Sequence, residues 1–401
     1  MTTQRGRPEA YPAILSYGFR PFFLLGAAWG ALVVLLWLPM LAGSMETRSH
    51  FAPVDWHAHE LLFGYLPAVV TGFLLTAIPN WTGRLPVRGT PLAVLCLVWL
   101  AGRVAIWFSA DLGWIAAMIV DCAFLFTVAL AAANEIVSGR NWRNLLVLGP
   151  VTVLLAANIL FHAEAQAFGV SDISRRLAIA AAIVLITIIG GRIIPSFTRN
   201  WLVRQEPGRL PVPYNRFDAA TIAVTALALG LWVFLPETAE SGVLLVVAGA
   251  ANLARLSRWA GERTVADALL VILHVAYLFV PAGLALSGLG VLAPGTIPAI
   301  AGIHVFGVGA IGAMTLAVMA RATLGHTGRE LRAGTGTTLV FCAIVLATPL
   351  RFAAATMPDK TWLLHGSATL WIAAFAGFVA LYAGALTRAR LAKRQPNRAP
   401  A

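Results

Sequence analysis

Charged side chains are scarce in this sequence. Only 11% of the 401 residues are Asp, Glu, Lys or Arg, and 59% are hydrophobic, whereas a typical soluble domain is about 25% charged. The chain lacks the polar side chains needed to cover a water-facing surface, which excludes an ordinary soluble globular protein. Its 36 glycines and 22 prolines agree with membrane helices, in which both residues are commoner than in soluble helices.

Cysteine motifs and familiar catalytic motifs are also missing. The three cysteines lie inside apolar runs, and no C-x-x-C occurs, which argues against a zinc ribbon and covalent haem attachment. The sequence contains no G-x-S-x-G, H-E-x-x-H or Walker A motif. No polar stretch is long enough for a soluble nucleotide-binding domain. Any chemistry must therefore take place within the apolar part of the chain.

Apolar runs dominate what is present. A membrane-spanning helix needs about 20 apolar residues, and counting runs on that basis predicts an all-α polytopic membrane protein with twelve transmembrane helices. Residues 1–387 form a single transmembrane domain, and residues 388–401 form a basic cytoplasmic tail that is predicted to be disordered. The predicted spans are 19–40, 57–79, 90–109, 112–134, 143–163, 177–198, 217–236, 241–259, 265–288, 296–320, 336–357 and 361–387.

Loop charge predicts the orientation. With the N-terminus inside, 22 of the 29 Lys and Arg residues fall on the cytoplasmic side, as the positive-inside rule requires. Both termini are then cytoplasmic. The net charge of +12 reflects this topology and contact with the lipid bilayer. It does not indicate nucleic-acid binding, because no basic face or basic motif with interleaved aromatic residues is present.

Similar sequences end three spans that lie four helices apart. They read "LLTAIPNWTGR", "IGGRIIPSFTRN" and "LAVMARATLGHTGR", and each leaves the membrane on the predicted cytoplasmic side. This spacing suggests a threefold repeat of four-helix units in parallel orientation. Convergent chemistry at helix ends is the alternative explanation.

Five histidines share one predicted depth, in the outer third of the bilayer. Imidazole is the commonest metal ligand, and ionisable residues within spans mark functional sites. We therefore predict a metal site in the outer half of the bundle, built from histidines of four spans; hydrogen bonding across helices and interfacial enrichment of histidine are the alternatives. The predicted ligands are His57, His59, His162, His304 and His365.

The sequence "DWHAHELLFGY" carries two of these histidines. On a regular helix His57 and His59 point about 200° apart, so they cannot face one metal. Either this segment is non-helical and chelates one ion, or each histidine serves a different partner. Asp55 and Glu60 are predicted to orient the ligating rings, as carboxylates commonly do. A simple helix cap is the alternative role for Asp55.

Other polar residues lie within the spans. Asn158 stands one turn before His162 and is predicted to support it. Arg103 is predicted to meet a haem propionate or a helix carbonyl, and pairing with Asp121 is an open alternative. His274, near the middle of the membrane, is a reserve cofactor-binding residue.

Six stretches together resemble the NnrS family: "GFRPFFL", "WHAHELLFGY", "GFLLTAIPNWTGR", "NILFH", "GGRIIPSFTRNWL" and "GAIGAMTLAVMARATLGHTGR". They occur in order over nearly the whole chain. The resemblance implies a multi-pass protein of the bacterial inner (cytoplasmic) membrane that contains haem and copper. It also implies a role in denitrification-related nitric oxide metabolism and resistance to nitrosative stress. It names neither the metal ligands nor a redox partner.

The leading hypothesis is a haem/copper protein that binds or processes nitric oxide at its outer face. Whether it turns nitric oxide over as an enzyme stays open. A transporter or permease, with Arg103 and Asp121 lining a solute path, is the first alternative. A metal-delivery factor for respiratory enzymes is the second.

Overall fold

The computed structural model describes residues 11–83, 85–140, 142 and 145–391. Within these residues, twelve helices are long and apolar enough to cross a membrane, which confirms the predicted all-α polytopic membrane fold. In chain order, α1–α12 are Phe19–Leu41, Pro53–Pro79, Thr90–Trp107, Trp114–Ser138, Leu145–Phe168, Asp172–Leu202, Arg216–Phe234, Ala239–Ser257, Ala268–Leu292, Ala299–His326, Thr335–Thr356 and Thr361–Thr387.

Three helices form the centre of the bundle. Their most apolar windows are 83% (α2), 67% (α6) and 72% (α10) buried within the protein, and the three helices contact one another. Each is the second helix of a predicted four-helix unit. A threefold repeat would place one helix per unit at the centre in this way, although the repeat itself stays a prediction.

Two of the central helices change their winding near one end of the bundle. Helix α2 is α-helical over Pro53–His59 and π-helical over Glu60–Tyr65, and α10 is α-helical over Ala299–His304 and π-helical over Val305–Ala313. A π segment shifts the side chains that follow it around the helix axis, and such segments are frequent at functional sites. In both helices the switch directly follows a predicted ligand histidine.

We call the end of the bundle where α1 ends and α2 begins the histidine end. It corresponds to the predicted outer face. At the opposite end, the side chain of Arg20, near the start of α1, is buried. Arg20 Nη1 donates to the carbonyls of Ala385, Leu386 and Arg388. The guanidinium therefore caps the C-terminus of α12, where a cation is stabilising.

The predicted tail begins in contact with the bundle. Leu391 N donates to the carbonyl of Thr327 at 3.0 Å, so residues 388–391 follow the end of α10. Residues 392–401, the rest of the predicted disordered tail, lie outside the described residues.

Candidate metal centre

A buried network of ion pairs and hydrogen bonds lies at the histidine end and joins side chains of α1, α2, α3 and α4. Glu60, at the π switch of α2, receives 2.8 Å hydrogen bonds on both oxygens from Arg103 Nη1 of α3. Trp29 Nε1 of α1 donates to the same carboxylate at 2.7 Å, and His59 Nδ1 lies 3.1 Å from it. Arg103 Nη2 donates to Asp121 of α4. Four helices therefore meet around one buried guanidinium.

Three side chains with metal-binding atoms converge beside this guanidinium. His59, Asp121 and His162 come from α2, α4 and α5, and one donor atom of each lies within 4.8 Å of the others. Asp121 Oδ2 is 3.3 Å from His59 Nε2 and 3.4 Å from His162 Nε2. Ligands of a tetrahedral metal at about 2.0–2.1 Å are separated by about 3.3–3.4 Å, so this spacing suits a metal ion.

The hydrogen bonds of His59 call for a positive charge. Its Nδ1 faces a Glu60 oxygen, and its Nε2 faces Asn158 Oδ1 at 3.0 Å and Asp121 Oδ2 at 3.3 Å. These partners are all acceptors, whereas a neutral imidazole donates from only one nitrogen. The ring must therefore carry two protons, or Nε2 must bind a cation.

The charge of the network leads to the same requirement. Glu60 and Asp121 contribute two negative charges, and Arg103 contributes one positive charge. All three side chains are nearly or fully buried, and an uncompensated charge is costly at such a place. One further positive charge, from a metal ion or a histidine proton, would neutralise the group.

Aromatic rings surround the two histidines. The ring of Phe51 lies 4.9 Å from His59 and 5.2 Å from His162 between centroids, and Phe63 and Phe161 each lie 5.2 Å from His59. This apolar surrounding keeps water away and strengthens electrostatic interactions inside it.

Gly64 lets the guanidinium approach α2. A Cβ at this position would lie 2.3 Å from Arg103 Nη1 and 2.8 Å from Trp29 Nε1. Any other residue would displace one of these donors from Glu60. The π segment and its glycine therefore allow the network to form.

His57 and His304 belong to a second group at the same end. They line a cavity of ≈ 90 Å³ between α1, α2, α10, α11 and α12, together with Trp37 and Arg351. The His57 ring stacks on Trp37 with centroids 4.2 Å apart. The segment that carries His57 and His59 is helical, so the two histidines serve different partners, as the second sequence alternative predicts.

Three predicted residues belong to neither group. His365 is exposed on α12, and His274 Nε2 pairs with the Thr198 hydroxyl at 2.9 Å. Asp55 does not reach His59; its carboxylate instead lies 3.8 Å from Arg175 Nη1. Their predicted metal, cofactor and orienting roles have no geometric support in the described residues.

Asp121 was missed as a candidate ligand. Its signal in the sequence is a lone carboxylate inside a span, which predicted pairing with Arg103 or a place on a solute path. Trp29 and Arg351 were also missed. A tryptophan that binds a carboxylate has no distinctive sequence pattern, and Arg351 resembled an ordinary charge at a helix end.

A metal ion suits the first group better than a haem suits either group. Ligand sites commonly occupy about 300–1,000 Å³, which the ≈ 90 Å³ cavity beside His57 and His304 does not reach. A cavity of ≈ 460 Å³ at the opposite end reaches this range and has Arg321 and His326 in its wall, but none of the predicted ligand histidines lines it. Haem therefore stays a prediction without an assigned ligand.

Comparison with curated proteins gives no match. A protein-family model described as "NnrS protein" matches residues 13–390. That range contains the buried network, both histidine groups and all twelve helices. The match confirms the resemblance carried by the six sequence stretches, and the chain belongs to the NnrS family.

Proposed function

We propose that this protein binds a copper ion at His59, Asp121 and His162 and uses it to bind nitric oxide within the bacterial inner membrane. The observation that carries the proposal is the convergence of these three side chains from three helices, with donor atoms 3.3 and 3.4 Å apart. Imidazole and carboxylate ligands suit several divalent metals, among which copper binds such sites most tightly.

The buried side chains around the centre have distinct roles in this proposal. Glu60 orients His59 through Nδ1, and Asn158 Nδ2 donates to Asp121 Oδ2 at 2.7 Å. Arg103 limits the negative charge of the two carboxylates. A bound copper ion would supply redox chemistry and an open coordination position for a small ligand. Nitric oxide is small and concentrates in lipid, so it needs no aqueous path to such a centre.

The physiological context of the proposal comes from the family. We also propose that the protein protects against nitrosative stress in denitrification-related metabolism. In the same proposal, both termini are cytoplasmic and the protein contains a haem in addition to copper. The metal site would then lie in the outer half of the membrane. Binding of nitric oxide at this site does not require its turnover.

Transport is the less favoured function. A permease would need Arg103 and Asp121 to line a solute path, but the two side chains pair with each other and are 4% and 2% exposed. A metal-delivery factor would need a site that releases its ion readily, which six interlocked buried side chains do not favour.

The proposal can be tested with the full-length protein purified in detergent after growth with added copper. We expect close to one copper per chain by elemental analysis. The Cu(II) electron paramagnetic resonance signal should show nitrogen hyperfine structure, and addition of nitric oxide should change it. His59→Ala and His162→Ala should each lose the copper.

The other histidines provide the matched controls. His57→Ala and His365→Ala should keep the copper, because their side chains lie outside the centre. Copper retained in both His59→Ala and His162→Ala would contradict the site. A copper signal that does not respond to nitric oxide would contradict the ligand while leaving the metal site in place.

A further inference from the structure

The cavity beside His57 differs chemically from the metal centre. Its polar lining includes His57, His304, Arg351, Trp37 and Ser367, and no acidic side chain lines it among the residues that the structure describes. The guanidinium of Arg351 brings a positive charge to this lining. The cavity is therefore positively charged, although it lies within the spans.

Arg351 has no counter-charge. Neither a salt bridge nor a hydrogen bond joins its guanidinium to another residue in the described part of the chain. Arg351 is only partly exposed and lies within α11, six residues before Met357, the first residue after the helix. An ionisable side chain within a membrane span points to a functional site. An unpaired guanidinium there calls for an anion.

Two further polar atoms of the lining residues are unsatisfied. Trp37 Nε1 and His57 Nδ1 are both buried and have no hydrogen-bond partner. A buried donor without a partner costs about 1–3 kcal/mol, so each such group in a native protein needs an explanation. The indole nitrogen can only donate, and a neutral imidazole can donate from Nδ1 in one of its two tautomers. A ligand that accepts hydrogen bonds would satisfy both.

The size and shape of the cavity limit the ligand. Its volume of ≈ 90 Å³ is well below the sites of drug-sized ligands, at about 300 Å³ or more. The stacked rings of Trp37 and His57, inclined by 23°, form a flat wall. A guanidinium matches planar oxyanions through two parallel hydrogen bonds.

We propose that this cavity binds one small planar monovalent oxyanion. Arg351 supplies the charge, and Trp37 Nε1 and His57 donate hydrogen bonds. The proposal does not depend on a metal at His59, Asp121 and His162, because the two groups share no side chain. A cation is disfavoured in this cavity by the charge of Arg351.

The experiment uses the full-length protein in detergent, with sodium formate and sodium nitrite as separate probes. Isothermal titration and the shift in thermal unfolding midpoint are measured at constant ionic strength, with sodium gluconate as the balancing salt because gluconate exceeds the cavity. We expect saturable binding of at least one probe and a higher unfolding midpoint. Saturation by neither probe would overturn the proposal.

Three variants test the residues. Arg351→Gln should weaken binding at least tenfold and Trp37→Phe several-fold, whereas Arg48→Gln should leave it unchanged. Arg48 is the matched control because it lies at the same end but pairs with exposed Asp111. Equal binding in wild type and Arg351→Gln would show that Arg351 only extends toward the headgroups and would overturn the proposal.

Unchanged binding in His162→Ala would separate this site from the metal centre. If Arg351→Gln does not fold, Trp37→Phe and the discrimination against gluconate still decide the outcome.

Discussion

Two histidine groups lie at the same end of the bundle and have opposite charge. The group at His59 contains two carboxylates and one guanidinium. It therefore has an excess negative charge that a cation would balance. The group at His57 contains one guanidinium and no carboxylate among the described residues that line the cavity. It therefore has an excess positive charge that an anion would balance. Opposite faces of one helix, α2, supply the two histidines.

The difference shows that histidine alone does not identify a metal site in a membrane protein. The same ring can ligate a metal, donate to an anion or pair with a neighbouring polar group. The charged residues around it decide among these roles, because a surplus charge is costly away from water. Charge balance therefore has to be examined for each group separately.

The largest expected effect separates the two arginines. Arg103→Met leaves Glu60 and Asp121 buried without their shared cation and should lower the free energy of unfolding by about 3–5 kcal/mol. Arg351→Met removes a cation that has no acidic partner and should change it by less than about 1 kcal/mol. Unfolding in mixed micelles titrated with dodecyl sulfate measures both values. Similar losses in the two variants would refute the contrast in charge.

The next effect compares two tryptophans of α1. Trp29→Phe deletes a hydrogen bond to the buried Glu60 carboxylate and should cost about 1.5–3 kcal/mol. Trp37→Phe deletes an indole N–H that has no partner, so it should cost clearly less in the same unfolding measurement. A larger loss for Trp37→Phe would mean that its indole makes a contact essential to the fold.

Two glycines in π segments provide a third comparison. Gly64→Ala places a Cβ 2.3 Å from Arg103 Nη1 and should cost about 1–3 kcal/mol through overpacking, with a loss of copper. At Gly307, in the π segment of α10, a Cβ meets nothing within 4 Å. Gly307→Ala should therefore keep both stability and copper. Retention of copper in Gly64→Ala would show that the close approach of Arg103 is dispensable.

The smallest effect comes from an ion pair exposed to water. Arg209 donates to both oxygens of Glu262, and these hydrogen bonds lower the pKa of Glu262 below its ordinary value of 4.5. The ion pair stabilises the fold at pH values above that ordinary pKa. This stabilisation is lost as the pH falls through the lowered pKa of Glu262.

We expect at most about 1 kcal/mol from this pair. The loss of unfolding free energy between pH 7 and acid should be larger by that amount in wild type than in Glu262→Gln, which lacks the titrating carboxyl. If wild type and Glu262→Gln lose the same free energy of unfolding between pH 7 and acid, the ion pair contributes nothing to stability. The contrast with Arg103 would then be larger still.

Much of the fold could be predicted from composition and hydropathy. The apolar runs are long, and a helix that spans lipid must satisfy its own backbone hydrogen bonds, so run length determines helix number. Helix ends were less predictable. Helix α6 begins at Asp172, five residues before the predicted start, because polar residues such as Arg175 and Arg176 extend a helix beyond its apolar part.

The candidate site was predicted in part. Loop charge placed His59, His162 and His304 at one end, and helical geometry indicated that His57 and His59 face different partners. The role of Asp121 and the isolation of His365 were not predictable, because both depend on how the helices are rotated about their axes.

By itself, the sequence determined a twelve-helix membrane protein of the NnrS family with a layer of histidines near one end, because apolar run length and residue spacing along a helix are local properties. The tertiary structure alone decided that this layer divides into a negatively charged and a positively charged group. Packing sets which helices are neighbours and how each is rotated. These contacts bring Arg103 to two carboxylates and leave Arg351 with none.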